Sequence, residues 1–432
     1  MEPLATIKEM RACLTSRGQQ HLLSFWDGLD SQEQQRLLAQ LQRIDWEAMD
    51  EWITTKVLRE AEDEIPQDLE PAPYYPLVPV GNEQQALYQE ARQTGHDLLA
   101  AGKVAAFTVA GGQGTRLGYD GPKGTFPVSP VCGKSLFRLF AEGLARAQEK
   151  YESIIPWFIM TSPMNDAQTR AFFAAHDCFG LLPDQVMFMP QGVMPAIGRD
   201  GKLLLGAPDS LALSPNGHGG SLLALRDSGA LTAMRERGIE HITYWQVDNP
   251  LVRPFDPLFL GLHTATQADM SCRSLTKTDS FEKLGNFCIS GGKVVIIEYS
   301  DMPPQLAKSQ DAFGRLLFRA GSPAIHILKR DFVDRITAGR KLQLPLHRAL
   351  KKVPYVEAQG QRVCPTENNA VKLEMFIFDA LPLAEKVLIL EADRHEQFGP
   401  LKNAAGSDSV ATCQQLMVAR AARWLGQAGV RV

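Results

Sequence analysis

The chain has 432 residues, of which 44% are hydrophobic and 22% are charged, as in a globular protein that buries a large core. Its formal net charge of −4 excludes a protein whose whole surface binds nucleic acid, although a local basic pocket for a small anion stays possible. No run approaches the roughly 18 apolar residues of a membrane span, and the N-terminus is mixed and charged. The seven cysteines form no C-x-x-C pair, so we expect neither a zinc site nor a disulfide framework. Together these features predict a soluble cytoplasmic protein.

The N-terminal part of the chain predicts helices. Up to about residue 60, Leu, Ile and Trp recur at three- and four-residue spacing in segments such as HLLSFWDGL and QEQQRLLAQLQRIDWEAMDEWI. The next segment, EDEIPQDLEPAPYYPLVP, is rich in proline and acidic residues, which predicts a linker without regular structure. We therefore place a helical region with its linker at residues 1–97.

From about residue 98, short apolar runs alternate with helical patterns. The predicted strands are KVAAFTVA, IPWFIMTS, QVMFMP and HITYWQVDN, and the predicted helices are KSLFRLFAEGLARAQ, NDAQTRAFFAAH and GGSLLALRDSGALTAMRERG. This alternation indicates a parallel sheet with helices on both faces. Gly291 and Gly292 separate KLGNFCIS from KVVIIEYS, which predicts a hairpin and hence a mixed sheet.

The last part of the chain predicts a helix in VKLEMFIFDALPLAEK, a strand in VLILEA, and a polar loop and helix from residue 395. The expected fold class is α/β, with a doubly wound, mostly parallel but mixed, Rossmann-like sheet in a domain of residues 98–392. An N-terminal helical extension precedes that domain, and a small C-terminal lobe of residues 393–432 follows it.

A glycine-rich segment, VAGGQGTRLGYDGPKGTFPV at residues 109–128, follows the first predicted strand. It does not match the dinucleotide fingerprint G-x-G-x-x-G, because Leu117 occupies the position of the third glycine. A Walker A loop ending at Gly133-Lys134-Ser135 fails as well, because its first glycine would have to be Val128. The segment is thus a phosphate loop of another kind.

The residue types in this loop suit a triphosphate. Gly111, Gly112 and Gly114 let backbone N–H groups approach an anion without an intervening Cβ. Arg116 can donate to two phosphate oxygens, and Lys123 adds a second positive charge.

The sequence GGQGTRLG followed by GPKG resembles the signature loop of the nucleotidyltransferases that make nucleotide sugars. More narrowly, it resembles the eukaryotic-type UDP-sugar pyrophosphorylases (UDPGP type 1), and among these the UDP-N-acetylhexosamine pyrophosphorylases. Further segments resemble that family in the same order: MPQGVMPA, NGHGG, VDN, VIIEYS, KLEMFIFD and FGPLKNA. The resemblance extends from about residue 75 to residue 430.

The resemblance implies a uridylyltransferase that makes a UDP-sugar and pyrophosphate from UTP and a hexose 1-phosphate, with Mg²⁺ as its cofactor. Such a displacement requires in-line positioning and neutralisation of negative charge more than covalent catalysis. We expect N-acetylglucosamine 1-phosphate as the sugar substrate. The partners are then these small molecules, with no nucleic acid and no membrane, and the sequence leaves the oligomeric state open.

The resemblance also implies roles for individual residues. The residues expected to contact phosphates in catalysis are Arg116, Lys123 and Lys402. The residues expected to bind the nucleotide are Gly111, Gly112, Gly114, Gln191, Gly217, His218 and Asp248, of which Asp248, at the end of a buried strand, would also be the Mg²⁺ ligand. The residues expected to bind the sugar are Gly285, Glu298, Ser322, Phe376 and Phe378.

Two positions depart from the N-acetylhexosamine branch. His218 stands where that branch has the Asn of G-N-G-G, and FRAGS ending at Ser322 stands where it has F-N-A-G-N. Both positions belong to the side of the site that meets the sugar, so a glucose 1-phosphate or broad-range enzyme remains the alternative. A non-catalytic nucleotide-sugar sensor is disfavoured because the loop cations and Asp248 are all present. A dinucleotide-dependent oxidoreductase is disfavoured by the failed fingerprint.

Overall fold

The structure is a computed structural model that describes residues 6–59, 65–339 and 344–431. Its α-helices are α1 (Ile7–Ser16), α2 (Ser31–Gln42), α3 (Trp46–Trp52), α4 (Gly81–Ala100), α5 (Leu136–Tyr151), α6 (Asp166–Ala175), α7 (Gly220–Asp227), α8 (Ala230–Glu236), α9 (Pro257–Ala265), α10 (Pro304–Ala307), α11 (Arg330–Thr337), α12 (Arg394–Gln397) and α13 (Val410–Gln427). Its strands are β1 (Glu70–Pro71), β2 (Val104–Val109), β3 (Trp157–Thr161), β4 (Val186–Pro190), β5 (Val193–Pro195), β6 (Ile197–Gly198), β7 (Leu205–Ala207), β8 (Ser210–Leu211), β9 (Leu213–Pro215), β10 (His241–Gln246), β11 (Met270–Thr276), β12 (Gly285–Ser290), β13 (Lys293–Ile297), β14 (Ala320–Ser322), β15 (His326–Lys329), β16 (His347–Lys351), β17 (Tyr355–Val356), β18 (Arg362–Val363), β19 (Ala370–Glu374) and β20 (Val387–Glu391).

The chain divides into two compact units, each made of separate stretches. The larger unit comprises Ile65–Gln191, Ser221–Leu344 and Ile377–Val432, and the smaller unit comprises Met1–Glu64, Gly192–Gly220 and Pro345–Phe376. This division differs from the predicted boundaries after residues 97 and 392. The N-terminal helices share a unit with two later stretches, and the C-terminal residues belong to the larger unit.

Within the described residues, a sheet of 11 strands forms the framework of the larger unit, in the order β1-β12-β14-β11-β15-β10-β2-β3-β4, with β13 beside β12 and β20 beside β11. The four strands predicted first, β2, β3, β4 and β10, form its parallel block. Strand β15 runs antiparallel to both β10 and β11, so the sheet is mixed as predicted. The β12–β13 hairpin turns at Gly291 and Gly292, whose φ angles of 52° and 73° suit glycine.

Helices α4 and α9 approach each other closely enough to bring their backbones into contact in the larger unit. A Cβ atom on Gly95 would lie 1.9 Å from the carbonyl oxygen of Pro257, and one on Gly261 would lie 1.6 Å from that of Ala91. Glycine is therefore required at both positions for this packing.

The C-terminal residues also pack within the larger unit. Gln414 of α13 donates its side-chain amide to the carbonyl of Val128 at 3.0 Å, and Arg420 donates to the carbonyl of Leu251 at 2.8 Å. Among the described residues, no helix is both long enough and apolar enough to cross a membrane.

The proline-rich segment is more regular than the sequence predicts, although its residues 62–64 lie outside the described part of the chain. Strand β1 pairs with β12, and the Tyr75 backbone exchanges hydrogen bonds of 2.8 and 2.9 Å with Ile389 and Glu391 of β20. Proline lacks an N–H donor but is tolerated on a sheet edge, which explains why the prediction of no regular structure was wrong here.

The segment VKLEMFIFDALPLAEK does not form the predicted single helix. Its first residues form β19, which pairs with β16, and a 3₁₀ helix follows over Ile377–Leu383. Val371 and Leu373 are buried while Lys372 and Glu374 are half-buried, the alternation of a strand. Pairing with β16, distant in sequence, overrides the local helical pattern.

The smaller unit joins the predicted N-terminal helices to a group of short strands. The side chain of Gln19 donates to the carbonyl of Gly201 at 2.9 Å and accepts from the N–H of Leu203 at 3.0 Å. Gln40 of α2 accepts from the N–H of Leu211 at 2.8 Å. These bonds explain why residues 6–59 and 192–220 form one unit.

Candidate functional site

The glycine-rich loop follows the carboxyl end of β2 and folds back on itself. The N–H of Gly114 donates to the carbonyl of Gly121 at 2.9 Å, and the N–H of Lys123 donates to that of Gly112 at 3.1 Å. A Cβ on Gly114 would lie 2.7 Å from the ring of Tyr119, whereas one on Gly112 would meet no atom of the described residues within 4 Å. Glycine at 114 therefore serves the packing of the loop, and glycine at 112 leaves open space for a ligand.

Asn165 holds the start of this loop, a role that sequence analysis missed. This wholly buried side chain lies at the N-terminus of α6 and donates to the carbonyls of Ala110 at 3.0 Å and Gly112 at 3.3 Å. The side-chain Oδ1 atom of Asn165 accepts a hydrogen bond from the N–H of Ser162 at 2.8 Å. The available signal was an Asn that begins a predicted helix shortly after a predicted strand.

Gln191 and Gly111, both expected to bind the nucleotide, lie together. Gln191 follows β4, is buried, and is fixed by its backbone N–H, which donates to the carbonyl of Thr161 at 2.9 Å. A Cβ on Gly111 would lie 2.8 Å from the side-chain nitrogen of Gln191. The glycine thus allows an amide to reach the loop backbone.

Lys123 and Asp248 meet at the carboxyl edge of the parallel strands. Asp248 follows β10, which runs parallel to β2, so both strands deliver their next residues to the same edge. The Nζ atom of Lys123 lies 3.7 Å from the Asp248 carboxylate and 3.5 Å from the carbonyl of Leu401. The lysine is only 8% exposed, whereas the aspartate is half-buried.

Asn249, which sequence analysis did not single out, secures the segment that leads to Lys402. Its side chain donates to the carbonyl of Gln397 at 2.8 Å and accepts from the N–H of Gly399 at 3.1 Å. Leu401 donates its N–H to the carbonyl of Asp248 at 2.8 Å. Lys402 thus follows a segment bound to the end of β10.

The loop after Lys402 is in turn bonded to the glycine-rich loop. Ala404 donates its N–H to the carbonyl of Arg116 at 3.1 Å, and the Nζ atom of Lys402 lies 3.8 Å from the Asp408 carboxylate. The Arg116 side chain is exposed and makes no hydrogen bond or ion pair within the described residues. The segments that carry the three predicted cations therefore meet at one edge of the larger unit.

Three of the predicted sugar-binding residues also lie together in the larger unit. Gly285 of β12 is the register partner of Ser322 of β14. A Cβ on Gly285 would lie 3.4 Å from a carboxylate oxygen of Glu298, which directly follows β13. Glu298 is half-buried, not fully buried as its apolar neighbours suggest. Phe378 lies buried in the 3₁₀ helix of the same unit.

The remaining predicted residues, Gly217, His218 and Phe376, belong to the smaller unit. Gly217 has a φ of 83°, and a Cβ there would lie 2.4 Å from the carbonyl oxygen of Met375. The His218 ring stacks on Phe376 with centroids 5.1 Å apart, and His347 stacks on Phe376 at 4.4 Å. No sequence motif marks His347, because its partner is far along the chain.

The chemistry and exposure of Asp248 are compatible with one ligand of a metal ion. Within the described residues, no group of three or more His, Cys, Asp or Glu side chains could hold an ion without help. The Asp248 side chain is 16% exposed, so an oxygen ligand is accessible there. Mg²⁺ is commonly bound by one or two carboxylates together with substrate phosphates.

Comparison with known proteins places the chain in a family. A family model described as UTP–glucose-1-phosphate uridylyltransferase matches residues 57–429. The UDP-N-acetylhexosamine pyrophosphorylase-like protein 1 of Mus musculus is 36% identical over 438 residues, covering 98% of this chain and 86% of that protein. The UDP-N-acetylglucosamine pyrophosphorylase of Saccharomyces cerevisiae is 34% identical over 439 residues, covering 96% of this chain and 90% of that protein.

A solved structure agrees with these relatives. The crystal structure of the uridine diphosphate N-acetylglucosamine pyrophosphorylase of Trypanosoma brucei, in complex with an inhibitor, aligns with a TM-score of 0.81 at 27% identity, covering 99% of this chain and 87% of that one. The resemblance found in the sequence motifs is thereby confirmed. The chain belongs to the UTP–glucose-1-phosphate uridylyltransferase (UDPGP) family of UDP-sugar pyrophosphorylases.

Proposed function

We propose that this protein is a uridylyltransferase that makes UDP-N-acetylglucosamine and pyrophosphate from UTP and N-acetylglucosamine 1-phosphate. The observation that carries the proposal is the meeting of the glycine-rich loop, the Lys123–Asp248 pair and the segment before Lys402 at one edge of the sheet. The names of the relatives in mouse and yeast support this choice of nucleotide and sugar.

The reaction is a displacement at the α-phosphorus of UTP. An oxygen of the sugar 1-phosphate forms the new bond to that phosphorus while the bond to the β-phosphate oxygen breaks, and pyrophosphate leaves with the bonding electron pair. UTP carries about four negative charges at neutral pH, so charge neutralisation is the main requirement. Arg116 and Lys123 would hold the leaving pyrophosphate, and Lys402 would contact the phosphates from the loop bonded to Arg116.

Asp248 would hold Mg²⁺, and the ion when bound would supply further neutralisation of phosphate charge. Lys123 has a complementary role, because its ammonium group is largely desolvated beside this carboxylate and is held in place before the substrate arrives. When phosphate oxygens approach, they would compete with the Asp248 carboxylate for the positive charge of Lys123.

The remaining residues would bind the base and the sugar. Gly111 and Gly112 would lie against uracil, Gln191 and Gly217 would read its polar edge, and Gly114 shapes the loop. His218 would stand where nucleotide and sugar meet. The sugar hydroxyls would contact the backbone of Gly285 and the side chains of Glu298 and Ser322, with Phe376 and Phe378 as apolar walls.

Glucose 1-phosphate is the second candidate substrate. His218 and Ser322 stand where two amides are expected in the N-acetylhexosamine branch, and loss of amide partners weakens discrimination for an acetamido group. We also propose a cytoplasmic location, which the free state of the seven cysteines supports.

The test is to incubate the protein with UTP, N-acetylglucosamine 1-phosphate and MgCl₂, to measure pyrophosphate and to identify the sugar nucleotide by mass spectrometry. We expect equal amounts of pyrophosphate and UDP-N-acetylglucosamine, with little product from ATP or CTP. Binding of UDP-N-acetylglucosamine in calorimetry without turnover would favour the sensor. Binding of NADH without affinity for UTP would favour the oxidoreductase.

A further inference from the structure

A buried lysine contacts the strands that carry the proposed sugar-binding residues. Lys277 directly follows β11 and is 6% exposed. Its Nζ atom donates to the side-chain oxygen of Asn286 at 2.8 Å and to the carbonyl of Ser280 at 3.2 Å. Asn286 is the second residue of β12 and is wholly buried.

The pair connects the ends of three strands. Asn286 donates to the carbonyl of Ile297, the last residue of β13, at 3.1 Å. The backbone N–H of Lys277 donates to the carbonyl of Arg319, which directly precedes β14, at 2.9 Å. A Cβ on Gly321 of β14 would lie 3.2 Å from Cγ of Lys277.

Each of these contacts lies one or a few residues from a proposed sugar-binding residue. Asn286 follows Gly285, Ile297 precedes Glu298, and Gly321 precedes Ser322. The backbone ladder already pairs these strand ends, and the side chains of Lys277 and Asn286 add bonds and packing contacts at the same three ends.

Burying this amine is costly. Burial lowers the pKa of Lys277, while the carboxylates of Glu282 and Asp279 act in the opposite direction. An amine removed from water destabilises a fold unless its hydrogen bonds are made, and a methionine of similar length would fill the space without that cost. The polar pair thus supplies directional bonds that apolar packing would not.

We propose that Lys277 and Asn286 are positioning residues that fix Gly285, Glu298 and Ser322 relative to one another and so determine affinity and selectivity for the sugar 1-phosphate. This inference rests on the proposed function. Neither side chain needs to contact a substrate. Small displacements of groups that bind a reacting molecule are enough to change its kinetic constants.

The test uses two variants. Lys277→Met removes the amine, and the double change Lys277→Met with Asn286→Leu removes both polar side chains, so that neither is left without the other. We expect KM for N-acetylglucosamine 1-phosphate to be about tenfold higher in both variants than in the wild-type protein, because hydrogen bonds that orient the binding groups are lost. KM for UTP should change by less than about twofold, and the ratio of kcat/KM for N-acetylglucosamine 1-phosphate to that for glucose 1-phosphate should shift.

Lys283→Met is the matched control, because Lys283 lies in the same loop but is exposed. It should leave both KM values unchanged. If the wild-type protein makes no UDP-sugar, the proposed function fails. If the wild-type protein is active and the folded variants keep both the KM for the sugar 1-phosphate and the sugar preference, the positioning role alone is overturned.

Discussion

The ammonium group of Lys123 combines burial with an opposite charge at 3.7 Å, that of Asp248. Electrostatic interactions strengthen as water is excluded, so this lysine can act on a phosphate more strongly than a surface lysine can. Arg116, in contrast, is exposed and can orient freely toward a ligand. The two cations of the loop thus supply a fixed and an adaptable charge.

Removal of either cation should therefore reduce turnover. We expect Arg116→Ala and Lys123→Ala each to lower kcat by about 100-fold or more, because transition-state charge loses a partner. Steady-state pyrophosphate release measures the effect. Lys134→Ala is the control, since the Lys134 amine pairs with Glu142 at 2.7 Å, and it should remain near wild type. Near-normal turnover in both folded loop variants would remove the loop from the active site.

Asp248→Asn keeps the shape of the side chain and removes its charge. We expect it to raise the Mg²⁺ concentration needed for half-maximal activity or to abolish turnover, because Mg²⁺ prefers charged oxygen ligands. A Mg²⁺ titration of both proteins measures this. Full activity of the wild-type protein in excess EDTA would contradict a role for Mg²⁺.

The identities of His218 and Ser322 should influence the choice of sugar. A hydrogen bond to an uncharged group contributes on the order of 1 kcal/mol, so two missing amides should weaken discrimination by roughly 10- to 30-fold without inverting it. We predict that His218→Asn with Ser322→Asn shifts kcat/KM toward N-acetylglucosamine 1-phosphate. An unchanged ratio of kcat/KM for the two sugar 1-phosphates would show that these positions do not select the sugar.

At the scale of elements, the turn at residues 216–219 is bonded to the end of β19. Met375 donates its N–H to the carbonyl of Asn216 at 2.8 Å and accepts from the N–H of Gly219 at 2.8 Å. Gly217 lies between these bonds and has a positive φ, and the Met375 carbonyl oxygen lies 2.4 Å from the position that a Cβ would take. The turn is thus shaped by a close backbone approach.

Gly217→Ala should destabilise the protein, because the added Cβ meets backbone atoms and the φ of 83° is unfavourable for alanine. We expect the free energy of unfolding to fall by roughly 1–3 kcal/mol. Gly143→Ala, in open space inside α5, should instead raise it by roughly 0.5–1 kcal/mol. Chemical denaturation measures both. A stable Gly217→Ala protein would mean that the turn can adopt another path.

Elements with strong local patterns could be predicted from the sequence, and elements made by distant pairing could not. Strands β2, β3 and β4 are mainly apolar runs, β10 has an apolar centre, and the β12–β13 hairpin has a Gly-Gly turn, so local residues suffice. Strand β19 depends on β16, and β1 depends on β12, so their local sequences are misleading. The glycine-rich loop was predictable because its charged residues and glycines are contiguous.

At the scale of the whole molecule, the two ends of β10 differ in chemistry. Asp248 follows its carboxyl end, and His241 begins it beside His263, with ring centroids 5.1 Å apart. Burial lowers the pKa of His241 to about 4 and holds the pKa of His263 well below its usual range. Lys329 and Lys103 lower the pKa of His241 further, whereas Glu240 raises it.

This histidine pair predicts a loss of stability in acid. The unfolded chain takes up protons as the pH falls through about 6.5, whereas the folded His241 does so only near 4, so the unfolded state binds more protons between these values. Stability is therefore retained above pH 6.5 and lost progressively toward pH 4, by about 3 kcal/mol for His241.

Denaturant unfolding between pH 7.5 and 4.5 measures this dependence. His241→Leu with His263→Leu should make it shallower, and His395→Gln, at an exposed position, should leave it unchanged. An equally steep dependence in the double variant would assign the acid sensitivity to other groups.

Side chains that act on residues supplied by other elements were beyond prediction. Asn165, Asn249 and His347 act on residues that other elements supply, so no short motif marks them. The site edge itself was predictable, because parallel strands deliver their carboxyl ends to one edge. The predicted domain boundaries followed composition, whereas the compact units follow contacts between stretches distant in sequence.

Uridylyl transfer to a sugar 1-phosphate is measured by pyrophosphate release by the wild-type protein from UTP across a panel of sugar 1-phosphates, with kcat/KM determined for each. We expect activity on N-acetylglucosamine 1-phosphate, with measurable activity on glucose 1-phosphate as well. Turnover of glucose 1-phosphate alone would contradict the proposed sugar, and no sugar-dependent release of pyrophosphate would contradict uridylyl transfer itself.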